Sequence, residues 1–294
     1  MANSILITGS EGLIGTALCV ELPALGLDVR RFDLRRHNED VLDLSALRVA
    51  ARDCIGIIHL AAVSRVIWGE KNPKLCWQTN VVGTRNVLDV AKTAPHKPWV
   101  ILASSREVYG HAAVLPATED APLIPCNVYG RSKVAAEELC MTARTQGVQV
   151  AVVRLSNVYG SVTDHADRVV PCFARSAATG LPLRVDGRNN TFDFTHLLDT
   201  ARGLLGVVAC LRAGERALPP VHLLTGQPTT LEELATLAIR LGGGRSHILD
   251  APPRAFDVSR FYGCPDRARK LLHFTANIQL KDGLEQLMHE LAKA

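Results

Sequence analysis

The sequence predicts an α/β chain with a doubly wound parallel sheet and a smaller, discontinuous C-terminal lobe. Three observations predict it. Short β-branched apolar runs alternate with longer stretches at helical spacing. A glycine-rich turn joins the first run to the first helical stretch. After about residue 165 the alternation weakens, and Pro171, Gly180, Pro182 and Gly187 interrupt it.

The strand candidates are 4–8, 28–32, 54–60, 99–103 and 148–154, and helices are expected over 15–25, 77–94 and 129–145, each with an apolar stripe opposite polar residues. Residues 1–165 form the expected dinucleotide-binding domain, with short extended pieces at 193–196 and 221–224 returning toward its sheet. Residues 166–294 form mainly a substrate lobe, closed by a terminal helix over 278–294.

Composition narrows the function. The chain has 294 residues, a net charge of +4 and 5% aromatic residues, so neither a nucleic-acid footprint nor a base-stacking platform stands out. The eight cysteines form no CxxC pair, and no histidines stand at metal spacing, which fits reduced thiols in the cytoplasm. No window reaches the roughly 18 apolar residues of a membrane span, and no signal-peptide pattern opens the chain. No nucleic-acid or membrane partner is expected.

The stretch Thr8-Gly9-Ser10-Glu11-Gly12-Leu13-Ile14-Gly15 lies between the first strand and the first helix. Glycines at this spacing permit a tight turn and close approach of backbone to pyrophosphate, and the helix N-terminus offers free N–H groups. This is the Rossmann-type arrangement. Asp33 ends the second strand at the spacing for a ribose-binding acid, which repels an additional 2′-phosphate and favours NAD over NADP. Glu11 adds negative charge there, whereas Arg35 and Arg36 pull the other way. Read alone, Asp33 also suits a strand-end turn.

The tripeptide VYG occurs at 108–110, 128–130 and 158–160, but only Tyr129 has a lysine four residues later, Lys133. One helical turn puts both side chains on one face. An ammonium and an oxidised nicotinamide beside a phenol favour the phenolate, so Tyr129 can exchange a proton with a substrate hydroxyl. Ser105, close after the fourth strand, can bond the same oxygen. Tyr109 and Tyr159 lack the lysine and are read as packing or pocket-wall residues.

Together with Asp43-Leu44, His59-Leu-Ala-Ala62, Thr79-Asn80, Arg154-Leu-Ser-Asn157 and Arg254-Ala-Phe-Asp257, these motifs resemble the extended short-chain dehydrogenase/reductase family, in its NAD-dependent sugar epimerase and dehydratase branch. The resemblance covers nearly the whole chain. It implies that Gly9, Gly12, Leu13, Ile14, Gly15, Asp33 and Arg35 meet the cofactor, with Asp43 and Leu44 at the adenine. It also implies that Leu60, Ala61, Ala62 and Ser156 line the cofactor and that Asn80 orders the nicotinamide side. Ser105, Tyr129 and Lys133 form the implied catalytic trio, Tyr129 and Lys133 also touching NAD. Ser105, Arg106, Asn157 and Arg254 are implied on the substrate side, and the implied substrate is a nucleotide-linked sugar.

Two departures stand out. Family members often carry an arginine where this chain has Phe192; either Arg188, four residues upstream, stands in as the phosphate ligand, or the substrate carries less phosphate than the family norm. Dehydratases carry an acid where this chain has Arg106, a very poor proton source. A 4-epimerase is therefore expected first, a sugar or keto-sugar oxidoreductase second, then a 4,6-dehydratase or a non-catalytic NAD-binding sensor. The resemblance also implies a homodimer through the helices 77–94 and 129–145, with Val87, Val90, Ala91, Ala135, Ala136 and Leu139 as interface candidates; the alternative is that these residues pack on the sheet.

Overall fold

The computed structural model describes residues 3–254 and 256–293. Five strands of the central sheet are β1 (Ser4–Thr8), β2 (Asp28–Phe32), β3 (Cys54–His59), β4 (Trp99–Ser105) and β5 (Val150–Leu155). A sixth strand, Val221–Leu223, lies beside β5, so the order is Val221–Leu223, β5, β4, β3, β1, β2, all parallel. From β1 the chain winds one way to β2 and the other way through β3 to β5. The crevice at that reversal, beyond the carboxyl ends of the strands, is where ligands bind in sheets of this kind.

Every residue of β4 and β5 is buried, the consequence of helices covering both faces. Alternate residues feed two cores. Ile5, Ile7, Ile58, Ile101 and Val153 pack under the first helix, Leu13–Ala24, and the helix Leu197–Arg212. Leu6, Ile57, Val100, Leu102 and Val152 pack under the helices Gly83–Thr93 and Val128–Thr145. Val87, Val90, Ala91 and Ala136 belong to this second core and the half-buried Leu139 packs against it, so sheet packing accounts for them, while Ala135 is half-buried.

The expected helix 77–94 lies in a continuous helical stretch that widens once. Pro73–Trp77 leads into a π-helical turn, Gln78–Val82, before Gly83–Thr93 resumes. Such widened turns accompany functional sites, and this one contains the buried Asn80.

The expected return of 193–196 to the main sheet is corrected: Phe194–His196 pairs in parallel with Asn157–Tyr159 as a separate two-stranded piece. A third core, including Tyr159, Phe173, Val185, Phe192, Leu234 and Leu284, lies among the helices Val169–Thr179, Leu231–Leu241 and Leu280–Leu291. Among the described residues, no helix is long and apolar enough to cross a membrane, and no group of His, Cys, Asp and Glu side chains could hold a metal.

Candidate active site

A cleft of about 860 Å³ runs from the glycine turn after β1 across the ends of β3 and β4 to the C-terminal lobe. At its first end Gly9 has φ +73°, and a Cβ there would stand 2.7 Å from the Ala61 backbone nitrogen. A Cβ on Gly15 would stand 2.3 Å from the Gly9 carbonyl oxygen, so the chain can fold this closely only with glycines. No side chain caps the helix Leu13–Ala24, which leaves its N-terminal N–H groups available to an anion. Ser10 Oγ, buried in the same turn, has no partner among the described residues. Open N–H groups and a side-chain-free cradle suit a dinucleotide pyrophosphate.

Gly12, Leu13, Ile14, Asp33 and Arg35 line this end. The nearly buried Asp33 carboxylate accepts from Arg35 N at 2.8 Å and Glu11 N at 2.9 Å. Glu11, Glu39 and Asp40 also line the cleft, against two guanidinium groups, Arg31 at 3.5 Å from Glu11 and Arg35 at 3.5 Å from Asp33. Negative charge prevails where the adenosine ribose would lie.

Asp43 and Leu44 do not reach the cleft. Asp43 accepts from Ser45 N and Ala46 N at 2.9 and 3.0 Å as the cap of the helix Leu44–Ala50, and Leu44 packs on the second core. Asp40 and Val41, the equivalent pair three residues earlier, line it instead.

Leu60, Ala61 and Ala62 form the wall beyond β3. Behind them Thr8 Oγ1 meets His59 Nδ1 at 2.7 Å, and His59 Nε2 meets Thr84 Oγ1 at 3.1 Å. Burial, with Lys133 nearby, lowers His59 to about 3, so it serves as a neutral strut. Asn80 also supports the wall without lining the cleft: its Nδ2 donates to Ser132 Oγ at 2.8 Å and Val63 O at 3.2 Å, and its Oδ1 accepts from Val63 N at 2.8 Å. Its expected contact with the nicotinamide side becomes an indirect one.

Ser105, Tyr129 and Lys133 converge on the middle of the cleft. Ser105 ends β4, and its Oγ accepts from Glu107 N at 3.2 Å. Tyr129 stands in the first turn of the helix Val128–Thr145, whose cap residue Asn127 accepts from Gly130 N at 2.7 Å. One turn on, Lys133 Nζ donates to Ala103 O at 2.9 Å and lies 5.8 Å from the Tyr129 ring centroid.

Burial pushes Tyr129 up to about 12, with Ser105 opposing the rise and Glu107 adding to it. Burial also lowers Lys133 to about 8. The expectation that the lysine favours the phenolate is therefore not met by the protein alone, because desolvation of the phenolate outweighs an ammonium directed at a backbone carbonyl.

Arg106, Asn157 and Arg254, expected on the substrate side, and Ser156, expected at the cofactor, all line the cleft. Ser156 Oγ donates to Asp193 O at 2.6 Å, and Arg254 Nε pairs with Asp257 at 2.7 Å. Arg188 does not line it. It is held outside by Asp250, at 3.0 Å, and by Glu232, so it cannot replace an arginine at Phe192. What lies over Phe192 is the Arg106 guanidinium, 4.6 Å from the ring centroid.

Sequence reasoning missed the segment 163–168, which meets the wall after β3 through an Arg65–Asp167 ion pair and an edge-to-face contact between Trp68 and His165 at 4.7 Å. Arg168, 3.3 Å from Asp164, lies near enough to lower Tyr129 slightly. The only signal for these residues was a charged loop directly after the last motif of the first domain.

Comparison with known proteins agrees with this geometry. A family model described as the NAD dependent epimerase/dehydratase family matches residues 5–217. The chain is 29% identical to a putative UDP-glucose 4-epimerase of Methanocaldococcus jannaschii, over 97% of each chain. It is also 29% identical to UDP-glucuronic acid decarboxylase 1 of Danio rerio, over 98% of this chain and 72% of the relative. The solved structure of MoeE5 in complex with UDP-glucose and NAD superposes with a TM-score of 0.90 at 26% identity, covering 99% of both chains; MoeE5 is also known in complex with UDP-glucuronic acid and NAD.

Proposed function

The chain belongs to the NAD-dependent epimerase/dehydratase family, and from that premise we propose that it is a 4-epimerase of a nucleotide-linked sugar. The observation that carries this reading is the Ser105, Tyr129 and Lys133 trio on the wall of the cleft that begins at the glycine turn. Elimination has less support, because Arg106 stands where it would need an acid. Glu107, the residue an elimination would need as a free base, is paired with Arg106 at 2.9 Å and accepts from Asn127 Nδ2 at 2.7 Å.

NAD is the cofactor in this reading. The backbone of Gly9 to Gly15 would hold its pyrophosphate, Asp33 the adenosine ribose, Asp40 and Val41 the adenine, and Tyr129 and Lys133 the nicotinamide ribose. When bound, NAD supplies a reversible hydride acceptor for the sugar carbon and a positive charge that favours the phenolate.

Tyr129 takes the proton of the C4 hydroxyl and returns it once the sugar has presented its other face. Ser105 donates to the same oxygen and keeps it within reach of the phenol. Lys133 fixes the face along which that transfer runs. A homodimer through the helices Gly83–Thr93 and Val128–Thr145 belongs to the same proposal.

Replacing Tyr129 by phenylalanine tests the reading. Turnover should fall roughly 100- to 10,000-fold with dinucleotide still bound, and the wild-type reaction should leave absorbance at the nicotinamide band unchanged at equilibrium. Stoichiometric gain or loss of that absorbance would instead identify a net oxidoreductase.

A further inference from the structure

Five arginines line the substrate half of the cleft, and each is set against a carboxylate: Arg65 with Asp167, Arg106 with Glu107, Arg168 with Asp164, Arg184 with Asp186 and Arg254 with Asp257. Arg106 differs in one respect. Its Nη1 is cut off from water and has no hydrogen-bond partner among the described residues. A buried, unpaired guanidinium N–H is costly unless an acceptor arrives.

The side chain has little freedom to seek another partner. Nη2 lies 2.9 Å from Glu107 Oε1, and Glu107 Oε2 accepts from Asn127 at 2.7 Å. Asn127 in turn caps the helix that presents Tyr129. The guanidinium lies 4.6 Å from the Phe192 ring centroid and 5.9 Å from that of Phe261. Arg106 thus shares a rigid frame with the phenol and follows Ser105 directly in the chain, about 3.8 Å away at Cα.

Resting on the sugar-nucleotide reading above, we propose that Arg106 determines specificity for a sugar bearing a carboxylate at its reacting end, a nucleotide-linked uronate whose carboxylate accepts from Nη1. A guanidinium stays charged at any working pH and matches the planar geometry of a carboxylate. A diphosphate oxygen is the other source of an anionic acceptor. Arg184 and Arg254, with side chains 70% and 44% exposed, have the freedom to follow a diphosphate that the clamped Arg106 lacks.

The test is calorimetric titration of the NAD-loaded protein with UDP-glucuronate, UDP-glucose and UDP, for the wild type, Arg106→Met and Arg106→Lys. The wild type should bind UDP-glucuronate about 10- to 100-fold more tightly than UDP-glucose. Arg106→Met should bring that ratio close to one with UDP affinity changed less than about threefold, and Arg106→Lys should restore part of the preference. Should methionine lower the melting temperature, the lysine variant carries the comparison, because it keeps the stem and charge while losing the planar fork.

Equal binding of the two sugars by the wild type, or no binding of either, overturns the proposal. So does an equal loss of UDP, UDP-glucose and UDP-glucuronate in Arg106→Met, which would assign Nη1 to a phosphate. Binding needs no turnover, so a protein that discriminates without epimerising would sink the epimerase reading and leave the role of Arg106 standing.

Discussion

Replacing Lys133 by methionine removes a charge that the fold keeps in a dry place. The residue is 4% exposed, and burial lowers its ammonium from 10.5 to about 8. Each pH unit corresponds to about 1.4 kcal/mol, so keeping the proton costs the folded state about 3 kcal/mol at pH 7. The unfolded chain binds this proton more tightly. The cost is therefore complete below about pH 8, shrinks as pH rises toward 10.5 and is gone above it.

Methionine fills a similar volume but loses the bond to Ala103 O, which offsets about 1 kcal/mol. The variant should thus be about 2 kcal/mol more stable than the wild type at pH 7, or about 5 °C in melting temperature, and no more stable at pH 10. Urea unfolding followed by circular dichroism at the two pH values measures this, on dinucleotide-free protein because a bound ligand adds its own stability. A variant destabilised equally at both pH values would refute the claim that the lysine is held at a cost for function.

Other outcomes follow from the cleft. Asp33→Ser should weaken NAD about 10- to 100-fold, the range for hydrogen bonds to a charged group, and narrow the gap to NADP; fluorescence titration with both reads this out. Arg188→Ala should leave the KM for a nucleotide sugar unchanged within about twofold and stability within about 1 kcal/mol, since its exposed ion pairs lie outside the cleft. A KM rise above tenfold would return Arg188 to the substrate site.

Much of this was legible because both-face burial writes itself into sequence as apolar runs, as in β4 and β5, and because the glycine turn needs residues without Cβ atoms at fixed spacing. Tyr129 was separable from its two counterparts by Lys133 alone. The structure shows the others packed away: the Tyr109 hydroxyl lies 2.7 Å from Arg154 Nη1 and 2.6 Å from His222 Nε2, and Tyr159 sits in the third core.

What stayed hidden depended on geometry between distant residues or on degenerate patterns. Asp40-Val41 and Asp43-Leu44 present similar pairs, each aspartate accepting local backbone bonds, and only their placement against the cleft tells them apart. The π-helical turn at Gln78–Val82 keeps helical composition, so spacing cannot reveal it. The contact of Arg106 with Phe192 joins the end of β4 to the C-terminal lobe, and nothing local in either segment announces it.

The central claim is that Tyr129 moves one proton at C4 while the hydride never leaves the cleft. Proton NMR of the reaction in D₂O, with UDP-glucuronate and UDP-glucose as substrates, tests it most directly. The account predicts inversion at C4 with no deuterium incorporated at C4 or C5 and no carbon lost. Deuterium at C5, release of carbon dioxide, or accumulation of a 4-keto sugar would contradict it.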